Sequence, residues 1–176
     1  MIILREQKMF KIRPAIESDA RQISKVHIDS WRAIYRGHMP DSILDNLSLE
    51  KREREWQERL RAGINAWVIE DNQKIVGFAS ICPTRDSDAD PTCVAEISAI
   101  YLLPDVWQKG LGKKLCETIF ESVIKKGFKE ITLWVLERNA QARQFYEAVG
   151  FQITGDIQID HVGCENLQVV RYKKVL

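Results

Sequence analysis

The stretch AIYLLPDVWQKGLGKK, residues 99–114, joins a long apolar run to a proline break at Pro104 and then to Gly110 and Gly112 at the start of a helical pattern. The first amides of a helix have no acceptor within it, and glycines there let backbone approach a ligand closely. Strand, Gly110, Leu111, Gly112, helix is therefore the layout of an anion cradle, with Lys109, Lys113 and Lys114 raising the local potential. Phosphate or pyrophosphate suits such a turn. The spacing is neither G-x-x-x-x-G-K-[ST] nor a full G-x-G-x-x-G, which disfavours ATP and NAD. A tight strand-to-helix connection with solvated lysines is the competing reading of the same residues.

Working outward, CVAEISAIYLL is the longest strand candidate, and LGKKLCETIFESVIKKG sets Leu111, Leu115 and Ile119 on one helical face before Gly127 closes it. ITLWVL reads as a strand, NAQARQFYEAVG as a helix closed by Gly150, and FQITGDI with NLQVVRYKKVL as a final strand pair. Upstream, AWVIED and IVGFASI form a hairpin across NQK, with Gly77 permitting a bulge or a close approach. CPTRDSDADP, residues 82–91, reads as a mobile polar connection. FKIRPA opens the sheet, Ser18 is a candidate cap for a helix with Ile23, Val26, Ser30, Trp31 and Ile34 at three-and-four spacing, and Ser48 caps a helix of alternating charge. Strands and helices interleave without internal repeats. The pattern describes an α+β domain with helices covering a mixed, largely antiparallel sheet.

Length and composition agree: 176 residues suffice for one ordinary domain, and 45% apolar with 29% charged types is a globular rather than a disordered profile. A net charge of +1 argues against a surface built for nucleic acid or anionic lipid. The apolar runs of MIILREQKMFKIR are too short for a signal core, and no stretch approaches the roughly 20 apolar residues of a membrane helix. Cys82, Cys93, Cys116 and Cys164 are scattered without a C-x-x-C pair, so no metal site or disulfide framework is expected. A cytoplasmic protein is the expectation.

The cradle and the downstream NAQARQFYEAVGF, residues 139–151, together resemble the GNAT superfamily of acyl-CoA-dependent N-acyltransferases, as does the opening RPAIESD, residues 13–19. Trp107 departs from the Gln or Arg usual at that position of the family motif. The resemblance implies a GNAT-like sheet with a splayed strand pair forming an acyl-CoA cleft. It assigns residues 16–63 to substrate-side helices and 93–150 to the cofactor core of a single domain spanning 1–176, with 1–8 an extension or edge strand. Acetyl-CoA is the implied donor. Ile100, Tyr101 and Leu102 would pair with its pantetheine arm; Gln108, Lys109, Gly110, Leu111, Gly112 and Lys113 would hold its pyrophosphate.

Asn139 is implied to contact the cofactor arm, although Asn is equally a good helix cap. Tyr146 resembles the family tyrosine that protonates the departing thiolate, with core packing as the alternative. Glu96 resembles the carboxylate base that takes the amine proton, directly or through water. Strand alternation would place Glu96, Ser98, Ile100 and Leu102 on one face. Trp31, Tyr35 and His38 are the candidate acceptor-pocket cluster, with a core stripe as the bland reading of the first two. The expected activity is acetyl transfer to a primary amine of a small molecule, peptide or protein, by a monomer or homodimer. The alternative is a non-catalytic acyl-CoA sensor.

Overall fold

The computed structural model describes residues 10–37, 39–162 and 165–176. His38, Cys164 and the segment 1–8 lie outside the described residues. The elements run β1 (Lys11–Pro14), α1 (Ala20–Tyr35), α2 (Asp41–Asp45), α3 (Leu49–Arg61), β2 (Asn65–Asp71), β3 (Lys74–Pro83), β4 (Val94–Leu102), α4 (Leu111–Lys125), β5 (Glu130–Leu136), α5 (Ala140–Ala148), β6 (Gln152–Val162) and β7 (Glu165–Val175). One seven-stranded sheet has the order β1-β2-β3-β4-β5-β7-β6, antiparallel everywhere except between β4 and β5. This is the mixed, largely antiparallel α+β architecture that the strand and helix patterns predict. No helix among the described residues is long and apolar enough to cross a membrane.

The β4–β5 junction positions the site. Their parallel ladder covers Val94↔Glu130, Ala95↔Ile131 and Glu96↔Thr132. Beyond it, β4 stays on β3 and β5 stays on β7, so the two inner edges diverge into a V. A strand edge left this way presents amides and carbonyls that need partners.

Two apolar layers hold the V in shape. Leu111, Leu115, Ile119 and Val123 of α4 pack with Ala95, Ile97, Ile131 and Leu133 on one face of the sheet. On the other face Ile23 and Val26 of α1 and Trp56 of α3 pack on Val68, Ile75 and Phe78. Burial of each such side chain contributes roughly 1.5–3 kcal/mol. The charged helix α3 is thus anchored through Trp56, which is fully buried, while most of its acids and bases face outward. Gly77 serves a close approach: a Cβ there would lie 2.9 Å from Leu102 Cγ.

Local expectations meet three corrections. Ser18 caps nothing; a 3-10 turn over Glu17–Asp19 precedes α1, and it is Asp19 whose carboxylate accepts the Ile16 amide at 2.9 Å. Asp19 also takes two bonds from Arg13, at 2.7 and 3.0 Å, which explains the RPAIESD element as a brace between β1 and α1. Secondly, residues 82–91 are tied down rather than mobile. Thr84 N donates to Val94 O at 2.9 Å, Asp86 accepts from Trp134 Nε1 at 3.0 Å, and Arg171 bridges Asp86 and Asp88. A run of small acids looks like a linker in sequence because its basic and aromatic partners, Arg171 and Trp134, are remote in the chain. Thirdly, β4 does not alternate regularly. Ser80 faces Ala99 while Ile81 faces Ile97, so Ser98 is an extra residue, a β-bulge. Ile97, Ile100 and Leu102 consequently share the α4 face, while Ala99 and Tyr101 face α1 and α3. The single face drawn through Glu96, Ser98, Ile100 and Leu102 is therefore overturned.

The Asp19 brace gives a stability prediction. Burial opposes its charge, but the Arg13 bonds and the Ile16 amide outweigh this and hold the carboxyl below its ordinary 3.8. Its contribution is then complete above that value and disappears as pH falls through the lower folded value. Asp19→Asn is expected to cost about 2 kcal/mol at neutral pH, with the gap to the parent closing in strong acid, measured by urea unfolding across pH.

Candidate active site

A cleft of about 460 Å³ opens in the mouth of the V. Ile100, Tyr101 and Leu102 of β4 form one wall, the turn from Val106 to Lys113 the floor, and Asn139, Phe145 and Tyr146 at α5 the opposite wall. A larger hollow of about 820 Å³ lies near the closed end of the V, where Arg171 pairs with Asp88 and Lys173 with Glu130. The smaller cleft is where groups without partners converge, and chemistry is placed there.

The floor is an amide cradle. Gln108 and Gly110 adopt left-handed backbone, at φ 58° and 75°, turning the chain sharply into α4. Trp107 N donates to Pro104 O and Lys114 N to Gly110 O, whereas the amides of residues 108–113 between them have no acceptor among the described residues. Of these, Gln108, Gly110, Gly112 and Lys113 line the cleft, together with the positive end of a 15-residue helix. Gly112 is needed for space: a Cβ there would lie 3.1 Å from the Phe145 ring. Trp107 has a structural role, since its indole N–H donates to Leu102 O at 2.7 Å and locks the turn onto the end of β4. Lys109 donates to Asp105 O and folds back on the same turn. Leu111 is buried in the core and, like Lys109, does not line the cleft.

Asn139 is a helix cap at the rim of the cleft. Its side-chain oxygen caps α5 by accepting the Ala142 amide at 3.0 Å, which leaves its NH₂ donor beside the cleft. Tyr146 is 8% exposed, lines the cleft, and its hydroxyl has no hydrogen-bond partner among the described residues. Burial pushes this phenol well above its ordinary value, reinforced by Cys116, Tyr101 and Tyr35. It is a neutral donor at any working pH.

Across β4 lies a second, aromatic region. Trp31 Nε1 donates to Tyr101 Oη at 3.0 Å, Trp31 and Tyr35 rings sit 5.1 Å apart, and His27 stacks on Tyr101 at 4.9 Å. Trp31 and Tyr35 are therefore brought to the Tyr101 side chain rather than into the 460 Å³ cleft. Glu96 is 2% exposed, lies on the closed side of the bulge and is also absent from that lining. Its carboxylate accepts from the Arg85 amide at 3.0 Å and from the Arg85 guanidinium. Arg85 is the residue that sequence reasoning missed. It sits in a polar loop with no periodic signal, and only the register of β3 against β4 shows what it covers.

His27 is buried, its Nδ1 has no partner, and burial, then Arg52 and Arg59, lower its pKa to about 3. Between about 6.5 and 3 the unfolded chain binds a proton that the fold rejects, so stability falls as pH drops through that window. By pH 5 the loss is about 2 kcal/mol. Thermal or urea unfolding between pH 7 and 5 is expected to show this slope in the parent and a flatter one in His27→Phe.

Among the described residues no cluster of three or more His, Cys, Asp or Glu side chains is arranged to hold a metal ion. The splayed V, the amide cradle and the facing tyrosine meet in one cleft, and comparison with known proteins gives the class. Residues 29–151 match the Acetyltransferase (GNAT) family, and the chain belongs to that family. It is 32% identical over 164 residues to the uncharacterized N-acetyltransferase YuaI of Bacillus subtilis, covering 88% of this chain and 91% of that protein. In fold it is similar to the PaiA N-acetyltransferase of Thermoplasma acidophilum in complex with coenzyme A, with TM-score 0.70, 19% identity, and 96% and 99% of the two chains covered. It is likewise similar to YncA, a putative acetyltransferase from Salmonella typhimurium with acetyl-CoA, with TM-score 0.72, 22% identity, and 96% and 94% covered.

Proposed function

We propose that this chain transfers an acetyl group from acetyl-CoA to a primary amine. The observation that carries the reading is the convergence in one cleft of Gln108, Gly110, Gly112 and Lys113, whose amides have no acceptor among the described residues, the open β4 edge and the free Tyr146 hydroxyl. The amides and Lys113 match a pyrophosphate, and the free edge at Ile100, Tyr101 and Leu102 matches the amides of a pantetheine arm, as one strand pairs with another. In this reading residues 93–150 serve the cofactor and residues 16–63 the acceptor, within one domain. Two solved proteins of like fold carry coenzyme A or acetyl-CoA, in support of the same donor here.

Residues on the two sides of β4 then divide the proton chemistry. The amine must be neutral before its lone pair can form the C–N bond. Glu96 accepts the departing proton through water, since Arg85 already occupies its oxygens. As the C–S bond breaks, Tyr146 gives its proton to the thiolate. The burial that raises the phenol also penalises a thiolate formed beside it, which favours protonation of the sulfur. Holding both reactants on one rigid strand supplies orientation.

The test is incubation with acetyl-labelled acetyl-CoA and a broad amine panel, reading label in product. Label appearing in an amine supports the transferase. Cofactor binding with no labelled product from any amine contradicts it.

A further inference from the structure

The acceptor side carries positive charge that the acetyl-transfer chemistry does not use. Cys82 of β3 lies directly opposite Glu96 of β4, and its thiol feels the charges of Glu96, Arg85 and Arg59, which places these groups around one patch. Arg85 covers the Glu96 carboxylate like a lid: the carboxylate side chain is 2% exposed and the arginine side chain 68%. Its amide, Nε and Nη2 are spent on Glu96, while Nη1 has no acceptor among the described residues and remains available to a ligand. Arg59, on α3, lies 4.7 Å from the Trp56 ring centroid and has no carboxylate in ion-pair contact among the described residues. Its neighbour Arg52 differs, being paired with Glu55 at 3.1 Å.

Holding one unpaired guanidinium near a second is unfavourable unless an anion joins them. Burial, opposed by Cys82, reinforced by Arg85 and Arg52 and opposed again by Glu55, pulls Arg59 below its ordinary value, so the carboxylates around it do not offset its burial. Guanidinium planes match carboxylate geometry through paired N–H bonds. The Glu96 charge beneath Arg85 discriminates among anions, because two guanidinium groups less one carboxylate leave a single net positive charge, which a monovalent carboxylate balances and a dianionic phosphate exceeds. The same Glu96 charge attracts an ammonium group. An arginine pair with a carboxylate below it is thus complementary to a molecule carrying both an amine and a carboxylate.

We propose that the acceptor is an amino acid or similar amine that also bears a carboxylate, received by Arg59 and by the outward face of Arg85, which Glu96 also holds in place. This rests on the acetyltransferase reading and narrows its substrate class.

The experiment is thiol release from acetyl-CoA with the common amino acids, each paired with its own carboxamide, alongside calorimetric titration of acetyl-CoA. The carboxamide amine is the less basic of each pair, so intrinsic reactivity at neutral pH favours it. A preference for the acid form must then come from the protein. The expected result is at least about tenfold higher kcat/KM for the acid of the best pair, falling towards parity in Arg59→Gln and in Arg85→Gln. Acetyl-CoA affinity should be unchanged in Arg59→Gln, a surface helix variant that leaves the core intact. Equal or better use of carboxamides, equal loss on both members of a pair in the variants, or acetyl-CoA binding with no amino acid accepted would each overturn the assignment. Absence of acetyl-CoA binding altogether would instead overturn the transferase reading on which it rests.

Discussion

Tyr146→Phe is expected to lower kcat by about a hundredfold or more while leaving acetyl-CoA affinity and folding close to those of the parent. The substitution removes one oxygen that has no hydrogen-bond partner among the described residues, so the fold loses nothing that holds it together. The ring keeps its contacts with Phe145, Phe151 and Tyr172. What is lost is the only proton the α5 wall offers from a phenol to a thiolate formed in the cleft. The separation of readouts matters. A fall in kcat with unchanged affinity supports the acid role, whereas full turnover by the variant assigns Tyr146 to packing alone.

Gly112→Val is expected to weaken acetyl-CoA binding by about a hundredfold or more. A single Cβ already meets two Phe145 ring atoms at 3.1 Å, and a branched side chain extends further into the same space. Either Phe145 swings into the cleft or α4 withdraws its first turn. Both movements separate the cradle amides from the cleft that Phe145 and Asn139 line. Leu111 and Leu115 keep the first turns of α4 anchored in the core, so thermal stability is expected to fall less than affinity. Calorimetric titration with coenzyme A, paired with a melting curve, separates the two effects. Undiminished affinity in the variant would mean that the cradle is not where the pyrophosphate sits.

How far the sequence carries the account can be judged at particular residues. Gly110 and Gly112 were legible because a left-handed turn and a close ring contact each leave a glycine in the chain, and the structure shows one of each. The stripes of α1 and α4, the Ser48 cap and the closing glycines were legible for the same local reason: each depends on neighbours a few residues away. The bulge at Ser98 left no such mark. It is a difference in register between two strands, and a single extra residue moves Ile100 and Leu102 to the α4 face while Glu96 stays behind. Arg85 over Glu96, and Arg171 against Asp86 and Asp88, were hidden because they join segments far apart in sequence, where charge composition gives no pairing. Trp107 illustrates the converse. It departs from the family motif, yet its indole bond to Leu102 O fixes the cradle through the side chain while leaving the amides free.

The central claim is that the cleft between β4 and β5 holds acetyl-CoA with its pyrophosphate on the amides that begin α4. Amide chemical shifts of the isotopically labelled chain, followed during titration with acetyl-CoA, test this at the atoms concerned. Saturable shifts at residues 108–113, with smaller changes along Ile100 and Leu102, are the predicted result. Saturation accompanied by unmoved amides at 108–113, or no saturable change anywhere, would contradict it.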